Sequence, residues 1–190
     1  MGSPFLYFAD DRLSLAELSA ACLDGDLVGL GEAYIPADAV ETRALRAGSL
    51  RELLGEQLAA THLSAAWVHG ALVNPPSRHT VQRAVSHRLH RVPDRRVVYR
   101  DLSVDPADLL LIGGVRVTSA ARTLVDLARI GDDVHVGAAR LLAQAHVGLI
   151  DDATAWLQRR HRLPYKQTAL DLLRSFAADR PQEEVTRYTS

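Results

Sequence analysis

The sequence predicts an α+β fold: a short helix and hairpin, then a mixed middle, then a helical C-terminal layer. Two observations carry most of this prediction. Apolar segments on both sides of Gly113 and Gly114 indicate an antiparallel hairpin, because glycine supplies the positive φ angles of a two-residue turn. From residue 118 to about 177, apolar residues recur at helical spacing. With 190 residues, the chain is long enough to bury a core.

Residues 1–40 are predicted to form a small module of one helix and one hairpin. Ser14 and Glu17 have the spacing of a capping box, in which each side chain bonds to the backbone N–H of the other residue. Two short apolar strands follow at 27–30 and 33–35. This order is the outline of a winged helix, but a DNA-reading unit normally places two helices before the wing. We therefore predict a degenerate, truncated winged-helix-like module.

Residues 41–178 are predicted to form an α+β core, and residues 179–190 a polar tail. Helical spacing extends over 41–60, with an interruption at Gly48 and with Ser49 expected to cap the second part. The other expected elements are a helix at 62–69, strands at 80–85 and 96–100, the hairpin at 109–117, and helices at about 119–130, 133–147, 151–161 and 165–177.

Composition narrows the class of protein. With 47% hydrophobic and 24% charged residues, the chain has the composition of an average globular protein. No apolar run approaches the roughly 20 residues that span a bilayer, and the N-terminus lacks the pattern of a signal peptide. We therefore expect a cytoplasmic protein without a membrane partner. The single cysteine, Cys22, excludes an internal disulfide and a cysteine-built zinc site.

Charge is distributed unevenly, although the whole chain has a formal net charge of −1. Residues 1–60 carry a net charge of −6, and residues 61–100 carry +6. The positive charge lies in an arginine-rich stretch that contains Arg78, Arg83, Arg88, Arg91, Arg95, Arg96 and Arg100. Arginines that dock on phosphates add salt-dependent affinity, so this stretch is the candidate nucleic-acid-binding surface.

Strand alternation predicts that Arg96, Val98 and Arg100 lie on one face, joined by Arg83 from the neighbouring strand. The alternative to nucleic-acid binding is a solvated sheet face that pairs with the acidic N-terminal third. Such pairing across an interface would make the protein a homodimer.

No set of residues suggests catalysis, a metal site, a cofactor or a small-molecule substrate. Ser64 lies between His62 and His69, but a serine inside a helix, without a Gly-x-Ser-x-Gly elbow, is typical of packing. The histidines lack partners at a spacing that would converge on zinc. We therefore predict that the protein is not an enzyme and uses no cofactor.

Three segments, taken in order, resemble one family. They are 27–36 (Leu-Val-Gly-Leu-Gly-Glu-Ala-Tyr-Ile-Pro), 62–70 (His-Leu-Ser-Ala-Ala-Trp-Val-His-Gly) and, most specifically, 113–128 (Gly-Gly-Val-Arg-Val-Thr-Ser-Ala-Ala-Arg-Thr-Leu-Val-Asp-Leu-Ala). Over about residues 12–178 the chain resembles the AbiEi-type antitoxins of actinobacteria. The resemblance implies a transcriptional regulator and antitoxin of a type IV toxin–antitoxin system. It also implies a DNA-binding winged helix and repression of an operon shared with a nucleotidyltransferase-like toxin.

Four residues of the third segment are expected to be structural. Gly113 and Gly114 form the turn. Arg122 and Asp126 are four residues apart, as a salt bridge on one helix requires. Together with the resemblance, this spacing suggests a clamp that ties the helix to the preceding hairpin.

The N-terminal module departs from a DNA-reading winged helix. Residues 13–42 contain no arginine, lysine or histidine, while they carry six acidic residues. Such a surface would repel phosphates, so DNA contacts are expected on the arginine-rich stretch or on a partner subunit. Two hypotheses follow: a regulator that binds double-stranded DNA through the basic stretch, or a non-enzymatic protein–protein interaction module that has lost DNA binding.

Overall fold

A computed structural model describes residues 4–9, 11–89, 94–160 and 162–179. The helices are α1 (Leu15–Asp24), α2 (Arg43–Ser49), α3 (Arg51–Leu54), α4 (His62–Val68), α5 (Ala120–Ile130), α6 (Asp133–Ala145), α7 (Leu149–Gln158) and α8 (Lys166–Ala178). The strands are β1 (Leu27–Leu30), β2 (Ala33–Pro36), β3 (Leu58–Ala60), β4 (His79–Arg83), β5 (Val97–Ser103), β6 (Leu109–Ile112) and β7 (Val115–Thr118). The predicted α+β fold is confirmed.

The N-terminal helix and hairpin form where the sequence predicts them. Ser14 and Glu17 make the reciprocal bonds of a capping box, and Gly25 ends α1 with a φ of 84°. β1 and β2 pair antiparallel. A bridge from Tyr7 to Tyr34 adds a third short segment to this hairpin, which the sequence pattern did not indicate. We call the β1–β2 hairpin the wing.

The other five strands form a mixed sheet in the order β5-β4-β3-β7-β6. β3 lies at the centre, antiparallel to β4 and parallel to β7. β5 joins β4 in parallel, and β6 joins β7 through the predicted antiparallel hairpin. The arginine-rich stretch therefore ends in an edge strand of the sheet.

Residues 58–60 were expected to continue a helix, and this expectation is wrong. Gly55 ends α3 with a φ of 54°, and the next apolar residues enter the sheet as its central strand. Pairing with β4 on one side and β7 on the other overrides the helical spacing of the local sequence. Ser49 does not cap α3, because its buried hydroxyl donates to the carbonyl of Arg46 and Leu50 occupies the cap.

The buried side chains form two hydrophobic clusters with α4 between them. Ala65, Trp67 and Val68 of α4 belong to the first cluster, with the wing, α2, α3 and the sheet. Ala66 belongs to the second cluster, which α5 to α8 build. Because α4 contributes to both, the sheet and the helical layer share a fully buried contact. None of the helices in the described ranges is long and apolar enough to cross a bilayer.

The wing is docked on the core. Leu30, Ala33 and Ile35 are buried in the first cluster. At Gly31, where φ is +56°, a Cβ atom would overlap the Ser49 hydroxyl and the Trp67 ring. Only glycine allows this close approach, so residues 1–40 share a core with the residues that follow.

Candidate nucleic-acid interface

The register of β4 and β5 decides which faces the arginines occupy. Val98 and Arg100 lie on the same face of β5, as predicted, and Arg100 is directly opposite Gln82. Arg83 follows Gln82, so its side chain lies on the other face. A register shift after Gln82 pairs Arg83 with Ser103. The expectation that Arg83 joins Arg100 on one face is therefore wrong.

Arg83 is a buried residue that holds the end of β4. Its Nε lies 2.9 Å from Asp101 Oδ1, and the Arg83 side chain is 9% exposed. Its Nη1 donates to the carbonyl oxygens of Ser86 and His87 at 2.9 and 2.8 Å. With its guanidinium used in this way, Arg83 stabilises the loop after β4.

Arg96, just before β5, is held by two carboxylates. Its Nη2 lies 2.6 Å from Asp94 Oδ2, and its Nη1 lies 2.6 Å from Glu32 Oε2 in the turn of the wing. The hydrogen bonds from Arg96 lower the pKa of Asp94 to about 2. The same bonds to Asp94, and then the one to Glu32, raise the pKa of Arg96. At this point the basic stretch pairs with the acidic N-terminal third within one chain.

Arg78 and Arg88 are exposed but partly engaged. Arg78 donates to the carbonyl oxygens of Arg95 and Val97 at 3.0 and 2.8 Å, which fixes the start of β5. The Arg88 side chain is 81% exposed, and its Nε lies 3.4 Å from Asp101 Oδ2. A contact of this length at the surface contributes little, so Arg88 remains able to meet another ligand.

Arg95 and Arg100 are exposed, and neither makes an ion pair with any residue in the described ranges. Arg91, the remaining member of the stretch, lies outside the described residues. We call the exposed arginines at this side of the sheet the basic edge, which consists of Arg78, Arg88, Arg95, Arg96 and Arg100.

The histidines at the two ends of α4 are buried and neutral. His69 Nε2 lies 2.7 Å from the carbonyl oxygen of Thr118, and Nδ1 lies 2.8 Å from Arg43 Nη2. Since a carbonyl accepts and a guanidinium donates, this is the neutral tautomer with the proton on Nε2. Burial lowers the pKa of His69 to about 4 and that of His62 to about 3. Both histidines therefore act as hydrogen-bonding core residues at neutral pH.

Arg122 and Asp126 form an ion pair that extends beyond their own helix. Arg122 Nε lies 2.9 Å from Asp126 Oδ2, and Nη1 lies 3.0 Å from Asp108 Oδ2. Asp108 directly precedes β6, so Arg122 links α5 to the start of the β6–β7 hairpin. Arg129 adds a contact to Asp126 at 3.3 Å. Trp156 of α7 donates to Asp108 Oδ1 at 2.7 Å.

The sequence pattern pointed to Arg122 and Asp126 but not to their partners. Asp108 and Trp156 lie 14 and 34 residues from Arg122 in the chain, and no spacing rule connects them. The guanidinium of Arg122 also lies 4.9 Å from the centre of the Trp156 ring, a cation–π contact. We call Arg122, Asp126, Asp108 and Trp156 the clamp.

Gly113 and Gly114 form the turn of the β6–β7 hairpin, with φ angles of +55° and +80°. The two positions differ in their surroundings. A Cβ atom on Gly113 would overlap the carbonyl oxygen of Ala44 in α2, whereas one on Gly114 would meet open space. Gly113 is therefore needed both for the turn and for the contact of the hairpin with α2.

A family model described as the AbiEi antitoxin C-terminal domain matches residues 58–174. This protein belongs to the AbiEi antitoxin family. The match spans the five-stranded sheet, the clamp and the helices up to most of α8, and it leaves the wing outside. A comparison with curated protein sequences gives no significant match.

Among solved structures, the AbiEi-family chain is similar to the crystal structure of the RV2827C protein from Mycobacterium tuberculosis. The two chains are 17% identical, with a TM-score of 0.35. The alignment covers 91% of this chain and 72% of the other.

Proposed function

We propose that this AbiEi-family protein is an antitoxin-type transcriptional regulator that binds double-stranded DNA of its own promoter through the basic edge. The observation that carries the proposal is the pair of exposed arginines, Arg95 and Arg100, that make no ion pair within the described residues. The family match supports the regulatory role.

Electrostatics favour these two residues as phosphate contacts over the rest of the stretch. An arginine that docks on a phosphate gains affinity through the release of counterions from DNA. Arg83 and Arg96 already have carboxylate partners, so binding a phosphate would require each to give up an ion pair. Within the described part of the chain, Arg95 and Arg100 have no such contact to break.

The test is a fluorescence-anisotropy titration of the protein with a duplex of its own promoter, repeated at several salt concentrations. We expect binding that weakens steeply with salt. Arg95→Ala and Arg100→Ala should each weaken binding and reduce the log–log salt slope by about 1. Arg174→Ala is the matched control, because it removes one exposed arginine from α8, in the helical layer. Absence of binding at low salt would refute the proposal.

The second candidate function is a protein–protein interaction module that has lost DNA binding. The ion pair between Arg96 and Glu32 favours it, since acidic and basic regions of this chain do pair in one place. A salt-dependent protein complex together with no promoter binding would support this candidate. Under either function we propose a cytoplasmic protein that performs no catalysis and uses no cofactor or small-molecule substrate.

A further inference from the structure

We propose that a second copy of this chain docks its α1 and wing on the basic edge, in competition with nucleic acid. The competition rests on the proposed DNA binding, whereas the dimer does not. The surface that docks comprises apolar Leu15, Leu23 and Val28 and acidic Glu17, Asp24, Asp26 and Asp38, which belong to α1, the wing and the residues that flank them. We call it the acidic wing surface.

The first observation is a set of apolar side chains on α1 that no described residue covers. This helix is well formed, with a capping box at its start and a left-handed glycine at its end. Leu18 is nevertheless its only buried residue. Leu15 is 56% exposed and Leu23 is 89% exposed, with Val28 of β1 at 44%. Because α1 and β1 pack on each other, these exposed apolar residues lie on neighbouring elements, as is typical of an interaction surface.

The second observation is the absence of basic residues from the segment that forms that surface. Residues 13–42 carry no basic side chain. Glu17 is used by the capping box, but Asp24, Asp26 and Asp38 are exposed and make no ion pair with any described residue. Asp26 and Asp38 are neighbours, because the N–H of Ala37 donates to the carbonyl of Asp26. The surface therefore fits a partner that presents arginines.

These acidic residues lie at the wrong end of the wing to reach the basic edge of their own chain. Glu32, in the wing turn, is the residue that contacts Arg96. Asp26 lies five residues before Gly31 along β1, and at roughly 3.4 Å per residue this is roughly 17 Å from the turn. Pairing of the acidic wing surface with the basic edge must therefore occur between two molecules.

A two-fold axis would satisfy both surfaces at once. In an isologous dimer, the acidic wing surface of one copy meets the basic edge of the other, and the contact is repeated by symmetry. The carboxylates would take the place that DNA phosphates take on Arg95 and Arg100. Dimer formation and DNA binding would then exclude one another, so the acidic wing surface would hold the regulator in a DNA-free form.

The first experiment measures the dimer without DNA, by sedimentation velocity at low and high salt. We expect a dimer that dissociates as salt rises, because opposite charges at a rim are screened. Asp24→Lys should raise the dimer dissociation constant at least about ten-fold through like-charge contact with the basic edge. This change should not impair folding, since a cation suits the C-terminal end of α1.

Controls distinguish this interface from a general charge effect. Asp171→Lys on α8 makes the same change in net charge and should leave the dimer intact. Arg95→Glu should weaken the dimer as Asp24→Lys does, and the two changes together should restore it. A monomer at all concentrations, a dimer indifferent to salt, or failure of the double variant to recover would overturn the interface.

The second experiment tests competition, by promoter titration at protein concentrations below and above the dimer dissociation constant. Above the dimer dissociation constant of Asp171→Lys, Asp24→Lys should bind the promoter duplex more tightly than Asp171→Lys, because less of it is held as dimer. Below that constant the two variants should bind equally. Equal affinity at both protein concentrations would overturn the exclusion while leaving the dimer established. If no protein binds the duplex, the proposed function fails, but the sedimentation result still decides the interface.

Discussion

The basic edge and the clamp both depend on arginine, but they use it in opposite ways. In the clamp, the Arg122 side chain is 12% exposed and contacts two carboxylates that are almost fully buried. On the basic edge, Arg95 and Arg100 are exposed without an ion pair among the described residues. A buried arginine is needed for folding because its removal leaves unpaired charge, whereas an exposed one can be lost without harm to the fold.

Arg83 and Arg96 lie between these extremes, although both belong to the arginine-rich stretch. Arg83 is as buried as Arg122, while Arg96 is paired twice but remains 55% exposed. Neighbouring residues of one basic segment therefore have different roles. The number of arginines in a segment measures its charge, not the charge that a ligand can reach.

The largest expected effect is in the clamp. Asp126→Ala removes a carboxylate that accepts from Arg122 and Arg129 and is 1% exposed. We expect a loss of about 3–5 kcal/mol in the free energy of unfolding, because buried positive charge is left uncompensated. Urea denaturation measures this loss in the free energy of unfolding. Asp171→Ala breaks an exposed pair with Arg174 and should cost less than about 1 kcal/mol. Equal losses in the two variants would remove the distinction between clamp and surface pairs.

The next effect concerns the hairpin that the clamp anchors. Gly113→Ala places a Cβ against the backbone of Ala44 at a φ of +55°. We expect a loss of about 2–4 kcal/mol from the strain and the clash together. Gly137→Ala is the control, because this glycine of α6 has no atom near its Cβ position and should gain up to about 1 kcal/mol. A thermal or urea unfolding series would show whether the hairpin tolerates the change.

Lowering the pH should also destabilise the protein, through two buried histidines at the ends of α4. The folded-state pKa is about 3 for His62 and about 4 for His69, both below the unfolded value. Their contribution is thus complete above pH 6.5 and is lost as the unfolded chain takes up protons. As the pH falls from 6.5 to 5.5, the two histidines should together lower the free energy of unfolding by roughly 2 kcal/mol. Denaturation curves at these pH values test this, and His69→Gln should flatten the dependence by about half.

The smallest effects compare two arginines of the same stretch. Arg83→Ala should lower the free energy of unfolding by about 1.5 kcal/mol, because it removes an ion pair with Asp101 and charged hydrogen bonds to two carbonyls. Arg100→Ala should change the free energy of unfolding by less than about 0.5 kcal/mol. In the promoter titration, where both variants are folded, Arg100→Ala should weaken binding more than Arg83→Ala. If Arg100→Ala destabilises the protein as much as Arg83→Ala, the basic edge is structural.

Patterns confined to a few neighbouring residues predicted much of the fold. The capping box forms at Ser14 as predicted, and the helices after residue 118 begin and end within three residues of their expected limits. The hairpin at 109–117 also forms as expected. The central strand at 58–60 was missed, because its two neighbours are supplied by segments far along the chain.

The sequence by itself determined the α+β class, the capping box of α1, the glycine turn and the family, since these depend on contacts over three or four residues or on a motif. Only the tertiary structure decided which arginines are available. Arg83 meets Asp101, Arg96 meets Glu32, and Arg122 meets Asp108 through pairings set by strand register and by the docking of the wing. Charge is a property of the residue, but its partner is a property of the fold, and the partner determines whether that charge can bind a ligand.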